Sequence, residues 1–322
     1  MSNLMWQPTA TLGNQKLRAK LYNKIRQFFA KRNVLEVETP LLSQYTVTDA
    51  HLHSFQTTYY SNNEKYHHRY LQTSPEYAMK RLLAAGSGPI YQICKAFRDD
   101  EISHQHNPEF TLLEWYRPSF NYHDLMCEMD ALLQTTIQSK KAVRKTYEQL
   151  FLNNLSINPF ALSLPELHTL SQKFSLQNAS SYKNRDTLLQ FLFAHVIEPT
   201  LGFSQPLFVY DFPASQSVSA KIDPYNPNVA LRFEVYIKGL ECANGFEELI
   251  NASEQRRRFE LENLKRKDIG LPEIAIDQRL LAALESGLPP CSGVALGLDR
   301  LLMIMGKRRR IDDVIGFTID RA

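Results

Sequence analysis

The sequence predicts an α/β protein of the α+β type, with strands paired as hairpins and helices on their flanks. Three observations carry that expectation. The segments Ile90–Arg98 and Phe110–Tyr116 are rich in β-branched and aromatic residues on either side of a polar loop, the pattern of two antiparallel strands. Leu17, Leu21, Ile25, Phe28 and Phe29 recur at helical spacing, while Arg18, Lys20, Lys24 and Arg26 fill the other face. A chain of 322 residues that is 43% hydrophobic has enough apolar surface for one large core or two modest ones.

Taken in order, the first helix is expected to run from about Leu17 to near Asn33, followed by a strand over Val34–Glu38 that Pro40 ends. Residues 43–69 are polar and carry His51, His53, His67 and His68, which reads as an entrance loop. No acid or cysteine stands at ligand spacing to make those histidines a metal site. Ser74-Pro75-Glu76 opens a helix over Tyr77–Ala85; a proline at the first helical position and an acid in the first turn suit an ordinary helix start, and the local chemistry leaves a binding role equally open. In the return strand of the hairpin, Glu114 and Tyr116 lie two apart and share a face. A further amphipathic helix follows at Tyr122–Gln138. Short helical patterns with polar joints such as Ser180-Ser181 then complete a helical insertion over about residues 121–205, without recognisable chemistry. Leu207–Phe212 and Leu231–Ile237 read as strands, and Lys238-Gly239 as a tight turn. Asn244, Phe246 and Glu248 alternate along the next strand and are expected on one face.

Composition narrows the function. Formal net charge is only +3, so no global field points to nucleic acid; the basic runs Arg256-Arg257-Arg258 and Lys307-Arg308-Arg309-Arg310 read as solvated helix faces. Cys94, Cys127, Cys242 and Cys291 are widely spaced, as expected of reduced thiols in the cytoplasm. Residues 1–13 carry no basic residue and are broken by Pro8, so no signal peptide is expected, and no apolar run reaches membrane-spanning length. Neither common glycine-rich phosphate loop is present, so a nucleotide would have to be held in another way.

Phe97-Arg98-Asp99-Asp100 followed by His106-Asn107-Pro108-Glu109-Phe110-Thr111 resembles the second signature of class II aminoacyl-tRNA synthetases, in wording nearest the lysyl branch. Leu35-Glu36-Val37-Glu38-Thr39-Pro40 resembles the first signature and Gly293-Val294-Ala295-Leu296-Gly297-Leu298-Asp299-Arg300 the third. The likeness runs from about Leu17 to the C-terminus. It implies a single catalytic domain over residues 1–322 built on a mostly antiparallel sheet flanked by helices, and a homodimer formed through the first helix, strand and proline.

The resemblance also implies a reaction, attack of a substrate carboxylate on the α-phosphorus of ATP. Arg98 would bridge the carboxylate and the α-phosphate, Arg300 would hold the γ-phosphate or stack on the adenine, and Phe110 would cover the base. Asp99, Asp100, His106, Asn107, Glu241, Cys242 and Gly297 complete the implied ATP site, with Glu234 and Glu241 as Mg2+ ligands. Without the family, those two glutamates would read as solvated strand-face charges. Ser74, Pro75, Glu76, Glu114, Tyr116, Asn244, Phe246, Glu248 and Ala295 form the implied amino-acid site. Its three carboxylates and a phenol suit two amines, as in lysine or an isomer, and not an acidic substrate.

Departures from the lysyl pattern shape the expectation. Thr46-Val47-Thr48-Asp49-Ala50 stands where lysyl enzymes have a glycine-rich loop at the substrate amine. Asp100, beside Glu101, replaces a usual glutamate, and His104-Gln105 stands where relatives place an arginine near the triphosphate; weaker ATP binding or substitution by His104 is expected. With the first class II helix beginning near Leu17, no anticodon-binding barrel is expected. Ala295, where lysyl synthetases have glycine, adds to the likeness to class II-like ligases that activate (R)-β-lysine or lysine and transfer it to a lysine ε-amine of elongation factor P. No tRNA or membrane partner is expected. A minimal tRNA-charging enzyme and a non-catalytic synthetase paralogue are the rival readings.

Overall fold

The computed structural model describes residues 6–61, 65–99, 102–174 and 183–322. The elements begin with α1 (Leu12–Ala30), β1 (Leu35–Glu36), β2 (Leu42–Ser43), β3 (Gln56–Ser61), β4 (Lys65–Leu71), α2 (Glu76–Ala84), β5 (Ile90–Phe97) and β6 (Glu109–Pro118). They continue through α3 (Tyr122–Ile137), β7 (Val143–Thr146), α4 (Tyr147–Leu155), α5 (Leu164–Lys173), α6 (Arg185–Leu192), β8 (Leu207–Pro213), β9 (Val229–Ile237) and β10 (Leu240–Glu247). The last are α7 (Ala252–Asp268), α8 (Gln278–Gly287), β11 (Cys291–Gly297) and α9 (Leu298–Met305). Two compact units result, Met1–Asn121 with Glu248–Ala322, and Tyr122–Glu247.

In the first unit the strands run β1-β5-β6-β11. The β5–β6 hairpin and the β6–β11 pair are antiparallel, and β1 joins β5 in parallel. β6 is therefore paired on both edges and buried on both faces, so along it the alternation is one of chemistry and not of exposure. Its Trp115 meets Phe29 of α1 edge-on at 5.4 Å, which seats the apolar stripe of that helix against the strands. The helix begins earlier than its apolar spacing implies, because Thr11 caps it by accepting a bond from Asn14 N–H. The expected strand over Val34–Glu38 shrinks to two residues, both exposed.

The polar segment 43–69 is not an entrance loop throughout. Its later part folds into β3 and β4, which with β2 make a separate antiparallel sheet in the order β2-β4-β3. Tyr59 stacks on His67 and Tyr60 leans on Tyr66, so cross-strand aromatic pairs hold a hairpin that has no apolar face to signal it.

In the second unit β10-β9-β8 pair antiparallel and β7 joins β8 in parallel. The Lys238-Gly239 turn between β9 and β10 places both residues at positive φ, 54° and 74°, as a two-residue hairpin of the right twist needs. Tyr147 and Phe151 of α4, Leu189 of α6 and Phe193 of the π-helical turn that follows it pack with Phe212 and Tyr236 of the strands into one core.

Candidate active site

The register of two strands, β6 and β11, builds the pocket. Glu114 and Tyr116 share a face of β6, and β11 sets Ala295 opposite Glu114 and Gly293 opposite Tyr116. The absence of a side chain at Gly293 is required: a Cβ there would overlap the Tyr116 ring and lie 2.6 Å from Glu248 Oε1. Tyr116 OH donates to Glu114 Oε1 at 2.6 Å, and Ser74 Oγ donates to Glu114 Oε2 at 2.9 Å. The same Ser74 Oγ accepts from Glu76 N–H at 3.0 Å, so Ser74-Pro75-Glu76 is both a helix start and a wall of the pocket. Glu248 falls one residue past the end of β10, and its N–H donates to Cys291 O at 2.9 Å.

A cation that the sequence analysis missed stands among these carboxylates. Lys80, one turn after Glu76 on α2, is 1% exposed. Its Nζ lies 2.7 Å from Glu76 Oε1 and 2.5 Å from Glu248 Oε2. Only the i,i+4 spacing from Glu76 hints at this in the sequence.

Burial dominates the electrostatics. It pushes Glu114 up to about 7, with the charge of Glu76 adding and the Tyr116 and Ser74 donors and Lys80 opposing. It pushes Glu248 up to about 8, against the pull of Lys80 and with Glu76 and Glu114 adding. Burial draws the Lys80 ammonium down, but Glu248 and Glu76 outweigh it and keep that group charged. The Tyr116 phenol is raised by burial and by Glu114, so it stays a donor. Such a cavity is short of positive charge, and a bound ammonium would supply it.

Arg98 leaves the end of β5 with its guanidinium 5.1 Å from the Phe110 ring centroid, stacked for contact with a planar or anionic ligand. Arg300 lies in the first turn of α9, where Gly297 caps the helix. Arg300 Nη2 meets His106 Nε2 at 2.5 Å, and His106 Nδ1 meets Ser103 Oγ at 2.7 Å. Arginine only donates, so Nε2 accepts and the imidazole proton sits on Nδ1. His106 thus orients Arg300. Asn107 is engaged with backbone, donating to Glu109 O at 2.7 Å and accepting from Ile319 N–H at 3.1 Å. Asp99 N–H donates to His53 O at 2.9 Å. Asp100 and Glu101 lie outside the described residues. His104, expected as a stand-in for an arginine, has one beside it: Arg310 Nη1 lies 2.5 Å from His104 Nδ1.

Glu234, Glu241, Cys242, Asn244 and Phe246 lie in the second unit. Asn244 is opposite Glu234 across β9–β10 and accepts from Arg232 Nε at 3.1 Å. Arg232 and the Tyr236 hydroxyl each donate to one oxygen of Glu234. Burial raises Glu234 to about 7, Arg232 opposes, and the charge of Glu241 adds. Cys242 is buried, its Sγ 3.5 Å from Leu240 O. Among the described residues no group of three or more His, Cys, Asp or Glu is placed to hold a metal. Two mutually repelling carboxylates fit Mg2+, which takes few protein ligands and completes its shell with phosphates and water. Each Glu234 oxygen keeps a second lone pair for it.

Comparison with known proteins identifies the family. The family model for class II tRNA synthetases (D, K and N) matches residues 5–321. A Vibrio cholerae protein named elongation factor P–(R)-β-lysine ligase is 53% identical over 100% of both chains. Proteins of the same name from Photobacterium profundum and Proteus mirabilis are 51% identical over 98% of this chain and 99% of theirs, and 52% identical over 98% of each. The chain therefore belongs to the class II tRNA synthetase family and, within it, to the group of elongation factor P–(R)-β-lysine ligases.

Proposed function

We propose that this protein uses ATP to activate (R)-β-lysine, or lysine, as an aminoacyl-adenylate and transfers the aminoacyl group to a lysine ε-amine of elongation factor P. The observation that carries the reading is the cluster of Glu76 with the buried Glu114, Glu248 and Tyr116 phenol, in which three carboxyl groups stand beside one resident cation, Lys80. A diamino acid brings two ammonium groups and closes that balance; a neutral or acidic side chain would leave buried charge uncompensated.

In the first step a substrate carboxylate oxygen forms a bond to the α-phosphorus as the bond to pyrophosphate breaks. Both reactants are anions, so the work of the chain is positioning and charge neutralisation. Arg98 is the bridge between them, its planar fork bonding carboxylate and phosphate together. Arg300, held by His106, is the second phosphate cation, and Phe110 is the stacking surface for the base. Glu234 and Glu241 would hold Mg2+, which neutralises phosphate charge when bound. In the second step the deprotonated ε-amine of the acceptor attacks the mixed anhydride and AMP leaves, with no covalent enzyme intermediate.

The remaining expectations complete the reading. Leu35 and Leu42, beside the first class II signature, are 57% and 47% exposed and suit burial in a homodimer. A cytoplasmic location fits the chemistry of the acceptor, and among the described residues no helix is long and apolar enough to cross a membrane.

The test is ATP–pyrophosphate exchange with lysine and with (R)-β-lysine, followed by mass spectrometry of elongation factor P incubated with enzyme, ATP and the better substrate. The expected result is exchange and an added aminoacyl mass on the factor. Charged tRNA with an unmodified factor would overturn it in favour of a tRNA-charging enzyme, and no exchange would overturn it in favour of a non-catalytic paralogue.

A further inference from the structure

Lys80 is a buried ammonium inside the pocket proposed for a substrate's ammonium groups, and that juxtaposition asks for a cause. A lysine and two carboxylates could in principle be a structural triad. Buried triads of that kind are usually replaceable by apolar side chains without loss, because desolvation offsets their attraction. This cluster is also unbalanced as a structural device: two carboxylates meet one ammonium, a third carboxyl, Glu114, is held beside them by Tyr116 and Ser74, and Glu248 Oε1 has no donor among the described residues. Glu248 therefore spends Oε2 on Lys80 and keeps Oε1 at the Gly293 wall. Glu76 spends Oε1 on Lys80, and its side chain, 20% exposed, also lines the cleft with Tyr45, Gln72, Ser74 and Arg279.

We propose that Lys80 is the resident counter-ion of the amino-acid pocket, a positioning residue that fixes Glu76 and Glu248 with one oxygen of each turned to the ligand. It sets the pocket's charge so that a substrate with two ammonium groups, and not one, completes it. This deepens the proposed function and rests on it. Lys80 acts through its partners and touches neither substrate nor ATP.

The groups facing Glu248 are Lys80 and Glu76 from α2 and Glu114 and Tyr116 from β6. Of these only Lys80 favours the ionised form of Glu248, so its removal moves ammonium binding to higher pH. The experiment is Lys80→Met assayed by ATP–pyrophosphate exchange with lysine and with 6-hydroxynorleucine, which has a hydroxyl in place of the distal amine, from pH 6 to 9. The expected result is a KM for lysine raised about ten-fold or more at pH 7 with a much smaller change in kcat. The acid limb of kcat/KM should rise by about one pH unit, and the preference for lysine over the hydroxyl analogue should shrink. Should Lys80→Met fail to fold, the double variant Lys80→Met with Glu76→Gln removes the ammonium together with one carboxylate. It keeps the pocket's charge balance and is expected to fold and to leave the acid limb within a few tenths of a unit of wild type. A wild-type KM and acid limb in Lys80→Met, or a folded double variant whose acid limb has risen by a full unit, would overturn the proposal. Wild-type protein that exchanges with neither amino acid would instead overturn the functional reading beneath it.

Discussion

Gly293→Ala puts the pocket geometry to its sharpest test. The methyl group would enter the space between two side chains that cannot withdraw: Tyr116 and Glu248 are each 2% exposed, and Tyr116 is tied through its hydroxyl to Glu114. The added carbon would sit 2.6 Å from Glu248 Oε1, about 0.5–1 Å inside ordinary contact, and would overlap the Tyr116 ring as well. Overpacking of a tight interior costs about 1–3 kcal/mol, and here the obstructed atom is the carboxylate oxygen proposed to face the ligand. The same energy read as affinity is a roughly five- to hundred-fold weaker hold on the amino acid. Urea unfolding would report the stability part, and the KM for lysine in pyrophosphate exchange the binding part, with the KM for ATP as an internal control. A variant with wild-type unfolding midpoint and wild-type KM for lysine would refute the assignment of Gly293, Tyr116 and Glu248 to one cavity wall.

Other perturbations follow from the same contacts. Glu114 and Glu248 sit at about 7 and about 8, above the carboxylate values of an unfolded chain, so their contribution to stability is present at low pH and is lost as pH rises through that range. The ligand-free protein should lose melting temperature between pH 5 and 8, and lysine should restore more of it at pH 8 than at pH 6; an equal shift at both would contradict the buried, protonated carboxyls. Arg98→Lys keeps the charge but loses the planar fork and the stack on Phe110, and exchange should fall at least ten-fold; unchanged turnover would remove Arg98 from the phosphate clamp. Asp299→Ala leaves Arg18 and Thr111 N–H without the carboxylate that binds them at 2.5 and 2.7 Å, and should cost about 2–3 kcal/mol, read as a lower denaturant midpoint at unchanged slope.

The parts of the fold legible in the sequence are those whose burial is one-sided or whose chemistry alternates. The hairpin around Arg98 announces itself through aromatic and β-branched runs, and period-two spacing alone puts Glu114 beside Tyr116. The stripe of Leu21, Ile25, Phe28 and Phe29 gives α1 its buried face. By contrast β3 and β4 carry Thr, Tyr and His on both faces, and a strand pair without an apolar side leaves no period to read. Glu248 is legible as a member of an alternating series, yet the series breaks where β10 ends, and its position rests on a backbone bond to Cys291.

Lys80 shows why the remainder was hidden. In a helix reading Glu76 to Ala84, Lys80-Arg81 looks like the hydrated side of an amphipathic segment, since lysine is among the residues least often buried. Locally, only the i,i+4 spacing from Glu76 distinguishes Lys80 from Arg81. The difference is made by Glu248, remote in sequence, whose oxygen arrives at 2.5 Å from Nζ once β11 and β6 have paired. A buried charge of this kind is decided by the sum of tertiary neighbours, and a pattern read along the chain weighs only the near ones. Glu114 is legible because its spacing from Tyr116 on one strand is a local fact, and Glu76 and Glu248 are legible through the resemblance that names them. The cation that determines how many further ammonium groups they can accept is a fact of the folded pocket alone.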